Sequence, residues 1–325
     1  MALTISVADA NKDGEGVNFT AYLKNFDTTY VSSGYGGFNT PDESDPFKGE
    51  GYVTMANEDG DGGASVVFTS DGGFTYDLST HVVSGNLKSI TFGTDTSYDE
   101  TTETYSNSGD IVISGFSDYA TTTQDGQIMG DLMDSRITTL TSLLASDSII
   151  FKGSTGDDVF TGYGHADTIS GGNGDDTLSG AGASDKINGG YGADKINGGA
   201  GNDALTGGYG NDTIKGDAGA DTLTGNAGND RLVGGAGKDA LTGGAGADTF
   251  VFAKSGGADT ITDFAAGSSG KDVIEFADGL FKNYADVIDS AKDTADGVLI
   301  SYSGGSVLLS DIDVADLNKS DFHVL

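Results

Sequence analysis

From residue 158 to residue 250 the chain repeats one pattern of nine residues. An aspartate recurs at every ninth position, and an apolar residue stands two positions after each aspartate. The aspartates are Asp158, Asp167, Asp176, Asp185, Asp194, Asp203, Asp212, Asp221, Asp230, Asp239 and Asp248. The apolar residues are Phe160, Ile169, Leu178, Ile187, Ile196, Leu205, Ile214, Leu223, Leu232, Leu241 and Phe250. A short fixed period of this kind predicts stacked coils rather than a globular core.

The repeat unit reads GGxGxDxUx, where U is apolar, and it is complete in residues 171–179 and 207–215. Its glycines favour a six-residue turn with positive φ, and the next three residues predict a short strand with its central side chain inward. Two units then form one coil, and coils stack about 4.8 Å apart. Aspartates eighteen residues apart therefore lie above one another. The unit resembles the calcium-binding nonapeptide repeat of RTX proteins, which implies an all-β parallel β-roll over residues 151–252.

Stacked turns of this kind predict calcium sites, with the eleven aspartates as candidate metal ligands. Turn carbonyls and stacked carboxylates supply the oxygen ligands that Ca²⁺ prefers. Pairing aspartates eighteen residues apart allows at most five sites on one edge of the roll and four on the other. Without the metal the carboxylates repel one another, so we expect the apo repeats to be disordered. The alternative, a disordered Gly/Asp/Asn linker, does not require matched aspartate and apolar positions.

Several turns depart from the consensus. Glycine is replaced by Tyr163, His165, Ala181, Ala183, Asp217 and Asn226. Asn and Asp tolerate positive φ better than Ala or Tyr. We therefore expect the sites that use Asp167 and Asp185 to be the weakest.

The charge and the rare residue types exclude several functions. The 325 residues carry a formal net charge of -34, which disfavours nucleic acids and anionic membranes as partners and favours cations. There is no cysteine, and the histidines are His81, His165 and His323, so thiol catalysis and histidine-based hydrolytic sites lack material. We expect no enzyme. No run of eighteen apolar residues predicts a membrane span, and the first residues do not resemble a signal peptide.

After Phe252 the period stops, and residues 253–325 predict a β-rich cap. Alternating apolar positions over 297–309, around the glycines at 304 and 305, predict a hairpin, and 284–291 predicts a short helix. A solenoid needs such a cap because its last coil otherwise exposes an open edge.

The end of the chain also resembles the uncleaved export signal of RTX substrates of type I secretion systems. An apolar tail follows an acidic residue, as in Asp321, Phe322, Val324 and Leu325. The resemblance implies the type I secretion apparatus as a partner and an extracellular protein, secreted or held at the cell surface, of a Gram-negative bacterium.

Residues 1–150 predict a separate α+β domain, with a curved antiparallel sheet and helices. Apolar positions at helical spacing predict helices at 19–30, with Thr20 as the N-cap, and at 127–144. Strands are predicted at 51–55, 64–69, 73–78, 89–92 and 110–114.

This domain resembles the HasA haemophore family over roughly residues 17–145. The resemblance is carried by AYLKNF, GGFN followed by PFKGEGY, GGFTYDLSTHVVSGNLKSITFG and QDGQIMGDLM, in the family's order. It implies that Tyr76 coordinates haem iron and that His81 hydrogen-bonds the phenolate. Two features depart from the family: the spacing from Tyr76 to His81 is shorter, and the loop at 31–36, where the family usually has a second axial ligand, contains no histidine.

Two functions remain open at this point. In the first, a secreted calcium-binding protein captures ferric haem. Its candidate partners are then haem itself, a haem-carrying protein or a receptor. In the second, a calcium-dependent surface-layer, matrix or adhesion protein associates with itself and binds no haem.

Overall fold

The computed structural model describes two compact units, residues 1–159 and 160–325. Within the first unit it describes the strand backbones up to residue 114, Ser142 and all residues from 144 onward. Within the second unit it describes every residue except 268–271 and 278. The predicted helix at 19–30 lies outside the described residues, and so does nearly all of the predicted helix at 127–144.

The first unit contains a largely antiparallel sheet. Its strands are β1 (Ala2–Val7), β2 (Gly36–Asn39), β3 (Lys48–Met55), β4 (Ser65–Asp77), β5 (Val82–Ser84), β6 (Leu87–Gly93), β9 (Ile111–Ser114) and β10 (Ser148–Lys152), beside a separate pair of β7 (Ser97–Asp99) and β8 (Thr104–Ser106). β1 is antiparallel to β9 and parallel to β10. β4 is antiparallel to both β3 and β6.

Most predicted strands of this unit coincide with observed ones, but two are joined. The predictions at 51–55, 89–92 and 110–114 fall on β3, β6 and β9. The predictions at 64–69 and 73–78 are one strand, β4, because residues 70–72, which favour a turn in sequence, continue the strand. The register against β6 shifts between Thr69 and Ser70, as at a β-bulge, which lets the strand continue.

The second unit is a parallel β-roll of two facing sheets. The first sheet contains β12 (Thr168–Asn173), β14 (Lys186–Tyr191), β16 (Ala204–Tyr209), β18 (Thr222–Ala227), β20 (Ala240–Ala245) and β22 (Gly257–Ile261). The second contains β11 (Val159–Thr161), β13 (Thr177–Gly182), β15 (Lys195–Ala200), β17 (Thr213–Ala218), β19 (Arg231–Ala236), β21 (Thr249–Phe252) and β23 (Val273–Phe276). Strands stack in parallel with a register of eighteen residues, as in the pairing of Ile187 with Leu205. The predicted β-roll is confirmed.

The apolar residue of each repeat forms the core of the roll. All eleven of these side chains are at most 2% exposed. The strands are longer than expected, however: most contain six residues rather than three, because the first three residues of the next unit continue the pairing. The leading glycine of that unit is buried on the core side, next to the apolar column. Each strand therefore alternates an apolar side chain and a bare backbone toward the interior.

The cap continues both sheets of the roll. It contains α1 (Tyr284–Ser290), β24 (Ala291–Thr294), β25 (Gly297–Tyr302), β26 (Gly305–Ser310), β27 (Phe322–Val324) and two 3₁₀ turns (Val314–Asp316 and Lys319–Asp321). The predicted hairpin is β25 and β26, and the predicted helix is α1, whose Asn283 side chain accepts the Ala285 amide at 2.8 Å. β26 adds to β22 and β27 adds to β23, both in parallel.

Aromatic packing and one ion pair fasten the cap. Phe276 stacks on Phe322 of β27 with ring centroids 6.3 Å apart, and it also contacts Tyr302 of β25 at 5.8 Å. On the outside of the second sheet, Arg231 makes a bidentate pair with Glu275, with contacts of 2.7 and 3.2 Å. The end of the roll is therefore covered by apolar rings and closed by paired strands.

Two alanine substitutions test whether a glycine is required because the turns stack closely or only because the repeat is rich in glycine. Gly192 has φ of +128°, and a Cβ there would overlap the carbonyl oxygen of Gly174 in the preceding coil. Gly164 has no heavy atom within 4 Å of its Cβ position. We expect Gly192→Ala to lower the free energy of unfolding in Ca²⁺ by at least about 1–3 kcal/mol, and Gly164→Ala to change it little. Chemical denaturation measures both, and equal losses would contradict the stacking argument.

Candidate calcium centre

The eleven repeat aspartates are buried although they carry charge. Each is at most 2% exposed. Burying a carboxylate costs free energy unless it is hydrogen-bonded and its charge is compensated. The roll must therefore provide both kinds of partner along its two turn edges.

One oxygen of the aspartate side chain joins successive coils. From Asp167 onward, the amide of each aspartate donates to Oδ1 of the aspartate one coil later: Asp167 to Asp185 at 2.7 Å, Asp185 to Asp203 at 2.8 Å, and so on to Asp230 and Asp248 at 2.8 Å. The structure thus brings aspartates eighteen residues apart together, as predicted. This contact fixes the side chain and leaves the second oxygen for another role.

The second carboxylate oxygen is buried without a hydrogen bond at seven positions. They are Asp185, Asp203, Asp212, Asp221, Asp230, Asp239 and Asp248. Carbonyl oxygens lie beside these atoms: Oδ2 of Asp212 and the carbonyl of Gly225 both lie within 2.9 Å of the point that a Cβ of Gly207 would occupy. Anionic and carbonyl oxygens facing one small buried space are the donor set of a hard cation. These residues therefore fit Ca²⁺.

The turn backbone supplies this space through positive φ. From the turn before Asp176 onward, the glycines at the second and fourth positions have φ between +101° and +155°, as at Gly208 (+125°) and Gly210 (+127°). Ala181, Ala183, Asp217 and Asn226 keep positive φ at these positions, at 72–77°. Tyr163 and His165 are not among the residues with positive φ. The turns before Asp158 and Asp167 thus depart from the later ones, while the turn before Asp185 retains their conformation.

The first two aspartates also differ in their hydrogen bonds. Oδ2 of Asp158 accepts from the Ser154 amide at 2.6 Å and from its hydroxyl at 3.0 Å. Oδ2 of Asp167 accepts from the Tyr163 amide at 3.1 Å. At these positions protein donors occupy the oxygen that is without a hydrogen bond at the seven positions named above. Their role as calcium ligands stays a prediction, and this geometry favours the later aspartates.

Burial disfavours the charged form of the ladder carboxylates. It raises the pKa of Asp185 to about 7, and it raises the pKa of Asp221 and of Asp230 to about 6. Neighbouring aspartates add to the shift by repulsion, whereas the amide donated to each side chain opposes it. Protons and Ca²⁺ therefore compete for the same oxygens near and below neutral pH.

The ladder extends beyond the nine-residue period, which sequence reasoning missed. Asp239 donates its amide to Oδ1 of Asp259 at 3.0 Å, and Asp248 donates to Oδ1 of Asp272 at 3.0 Å. These partners lie 20 and 24 residues ahead rather than eighteen. The available signal was an aspartate two residues before an apolar strand residue, Ile261 or Ile274, with the connecting turn lengthened.

A second ladder on the turn surface was also missed. The side chain at the fifth position of a unit accepts the amide of the fifth residue one coil later, as from Ala220 to Asn202 at 2.8 Å and from Asn229 to Asn211 at 2.7 Å. This explains the frequent Asn, Asp and Ser at that position, because each carries a short acceptor. It joins the coils without using the ladder aspartates.

The site is made of two carboxylates and backbone rather than of a cluster of acidic and imidazole groups. Within the described residues no group of three or more His, Cys, Asp or Glu side chains is placed to hold a metal ion. Ca²⁺ accepts backbone carbonyl ligands as well as carboxylates. In the same part of the chain, no helix is long and apolar enough to cross a membrane.

The predicted haem ligands are only partly placed. Tyr76 lies on β4, where its backbone pairs with Val83 of β5. Its side chain is not among the described groups, and His81 lies outside the described residues. The role of both residues stays a prediction.

Comparison with known proteins identifies the repeats. The RTX calcium-binding nonapeptide repeat family matches residues 150–178, 179–214 and 215–250, so the chain carries RTX calcium-binding repeats. No curated protein matches the chain.

Solved structures resemble parts of the chain. Extracellular lipase LipA from Serratia marcescens is 21% identical over 54% of this chain and 40% of its own, with a TM-score of 0.29. The haemophore HasA from Yersinia pestis is 14% identical over 45% of this chain and 89% of its own, with a TM-score of 0.34. The AlgE6R3 subunit of the Azotobacter vinelandii mannuronan C5-epimerase is 29% identical over 44% and 80%, with a TM-score of 0.31. This chain spans less than half the length of the lipase.

Two asparagine substitutions test which aspartates hold calcium. Asp212→Asn keeps an oxygen for the Asp194 amide but removes the negative charge and the second oxygen, so at near-saturating Ca²⁺ we expect about one ion fewer per chain. Asp158→Asn should leave the number of ions unchanged, because Ser154 already occupies its second oxygen. Equilibrium dialysis measures both variants. An equal loss of ions in both would refute the distinction.

Proposed function

We propose that this chain is a non-enzymatic extracellular protein whose RTX roll folds on meeting Ca²⁺ outside the cell. The observation that carries the proposal is the series of buried Oδ2 atoms without hydrogen bonds along both edges of the roll. A bound Ca²⁺ supplies positive charge and accepts oxygen ligands there. The chain's own residues do the rest: turn carbonyls face the carboxylates, and ladder amides orient them.

Folding and metal binding are coupled by the position of the aspartates. Each aspartate stands two residues before the core side chain of the strand that follows it, so the apolar column cannot be buried without burying the carboxylate column. An isolated buried carboxylate is strongly disfavoured, and the stack repeats it in every coil. Without a cation, the free-energy cost of burying these carboxylates destabilises the whole roll.

The calcium concentration on each side of the membrane determines where the roll folds. Extracellular calcium modules have dissociation constants of roughly 10⁻⁴ to 10⁻³ M, so such a roll is unfolded in the cytosol and folded outside. RTX repeat proteins are typically secreted by Gram-negative bacteria, which supports export through a type I secretion apparatus. In this proposal the C-terminal residues carry the export signal as well as the cap.

Circular dichroism of the full chain tests the coupling. We expect little β-signal from the roll in EGTA and a cooperative gain at millimolar Ca²⁺. Mg²⁺ at the same concentration should substitute poorly, because it demands tighter octahedral geometry and gives up water reluctantly. A spectrum that does not change on chelation would reject calcium-driven folding.

The first unit offers a second function, capture of ferric haem. What supports it is the sequence resemblance around Tyr76 and the place of that residue on a paired strand. If haem binds, a titration gives a saturable Soret shift and a phenolate charge-transfer band, and Tyr76→Phe removes the band. His81→Ala weakens binding less, because it removes a partner of the ligand rather than the ligand.

The contrasting outcome identifies the structural alternative. Purified chain that takes up no haem, but forms ordered oligomers when Ca²⁺ is added, would favour a surface-layer, matrix or adhesion role. Size-exclusion chromatography with and without Ca²⁺ gives this second readout on the same sample.

A further inference from the structure

The turn formed by residues 254–259 has the backbone of a repeat turn without its sequence. Ser255 has φ of +70° and Gly257 has φ of +101°, at the positions where Gly235 (+106°) and Gly237 (+155°) have positive φ one coil earlier. The two turns are stacked: Gly237 bridges Gly257 in parallel, and its amide donates to the Gly256 carbonyl at 2.9 Å. The stack of turns therefore continues past the consensus repeats.

This turn brings a further pair of carboxylates together. Oδ1 of Asp259 accepts the Asp239 amide at 3.0 Å, and the two side chains are 3% and 2% exposed. Oδ2 of Asp239 is buried without a hydrogen bond. Within the described residues neither carboxylate forms an ion pair with Lys or Arg. Two adjacent buried charges are thus left without a compensating cation from the protein.

A third oxygen comes from the cap hairpin. The hydroxyl of Tyr302, on β25, is buried and has no hydrogen-bond partner. It lies 2.8 Å from the Cβ position of Gly256, with the Ala253 carbonyl at 3.4 Å and Oδ2 of Asp259 at 3.5 Å from the same point. Two of these oxygens come from the stretch 253–259 and one comes from the hairpin, and all three lie around the same point.

The tyrosine is held in this position by apolar packing. Its ring lies 6.2 Å from Phe252 and 5.8 Å from Phe276, measured between centroids. The site thus combines a phenol oxygen and a carbonyl oxygen with carboxylates, and neutral and anionic oxygens together are the ligands of Ca²⁺.

We propose that Ca²⁺ binds between the turns 234–239 and 254–259, held by the carboxylates of Asp239 and Asp259, the Ala253 carbonyl and the Tyr302 hydroxyl. Water completes the shell, as is common for Ca²⁺. The ion joins the last turns of the roll to the hairpin of β25 and β26, so docking of the cap depends on calcium. We call this ion and its four protein ligands the latch. This inference rests on the calcium function proposed for the repeats and adds a site that the nonapeptide pattern does not contain.

The test uses the full chain with Tyr302→Phe, Asp259→Asn and a matched control, Tyr284→Phe. Tyr284 also lies in the cap, but its hydroxyl donates to the Leu317 carbonyl at 3.2 Å. We expect Tyr302→Phe and Asp259→Asn to weaken one Ca²⁺ at least roughly tenfold in calorimetry, and Tyr284→Phe to leave every ion unchanged. Circular dichroism at millimolar Ca²⁺ should show that the rest of the roll still folds.

Two further measurements report on the latch itself. The chain has no tryptophan, so Tb³⁺ bound in place of Ca²⁺ is sensitised through tyrosine, and Tyr302→Phe should lower that emission more than Tyr284→Phe does. Amide hydrogen exchange in β25 and β26 should accelerate in Tyr302→Phe at a calcium concentration that keeps the roll folded.

The outcomes separate this inference from the general calcium function. If the unaltered chain binds Ca²⁺ and folds, while both variants bind the same number of ions with unchanged affinity, the latch is wrong and the repeat sites stand. If the unaltered chain binds no Ca²⁺, both are wrong. Loss of one ion in the two variants, with the control intact, supports the latch.

Discussion

The structure depends on the bidentate use of one side chain, the aspartate that ends each turn. Its Oδ1 accepts the amide of the aspartate one coil earlier, and this bond, at 2.7–3.0 Å, recurs through the roll. Its Oδ2 points into buried space beside a turn carbonyl. Since the coils stack at the spacing of β-strands, about 4.8 Å, the same arrangement places like charges in a column. A cation that accepts oxygen ligands resolves this conflict, and on the proposed function the core and the metal sites therefore form together.

The two ends of the aspartate column differ in their hydrogen bonds. At Asp158 and Asp167 the second oxygen is satisfied by nearby amides and a hydroxyl. At the other end the column continues into Asp259 and Asp272, and β26 and β27 add to the last strands of the two sheets. The cap is thus more than an apolar cover, because it extends the hydrogen bonding of both the strands and the aspartates.

How much the sequence predicts depends on whether the signal is local. The period of nine identified the roll, its core and the stacking of Asp185 on Asp203, because every unit repeats the same short-range information. Asp259 was missed because two extra residues precede it, and only the parallel pairing of Leu241 with Ile261 places it above Asp239. Tyr302 carries no sequence signal at all, since its site is formed by a hairpin that arrives from forty residues further along the chain.

The tolerance of the turns shows why composition is a poor guide to the individual sites. A Cβ at Gly201 would overlap the carbonyl of Ala183 one coil earlier, so a regular stack has little room for side chains at the fourth position. Ala183 nevertheless has a side chain at this position. The turn beneath it contains Tyr163 and His165, which do not have the positive φ seen at the same positions of the regular turns. The two irregular turns are thus stacked on each other on one edge.

Elsewhere the backbone itself adjusts. Ala181, Ala183, Asp217 and Asn226 have φ of 72–77°, near the left-handed minimum, whereas the glycines at the same positions of the neighbouring regular turns have φ of 101–155°. A single turn can therefore accept a side chain by a modest rotation while the aspartate that follows keeps its two contacts. On the proposed calcium function, a site requires that φ stays positive and that Oδ2 stays without a protein donor. By that criterion Asp185 groups with the regular turns and Asp167 does not.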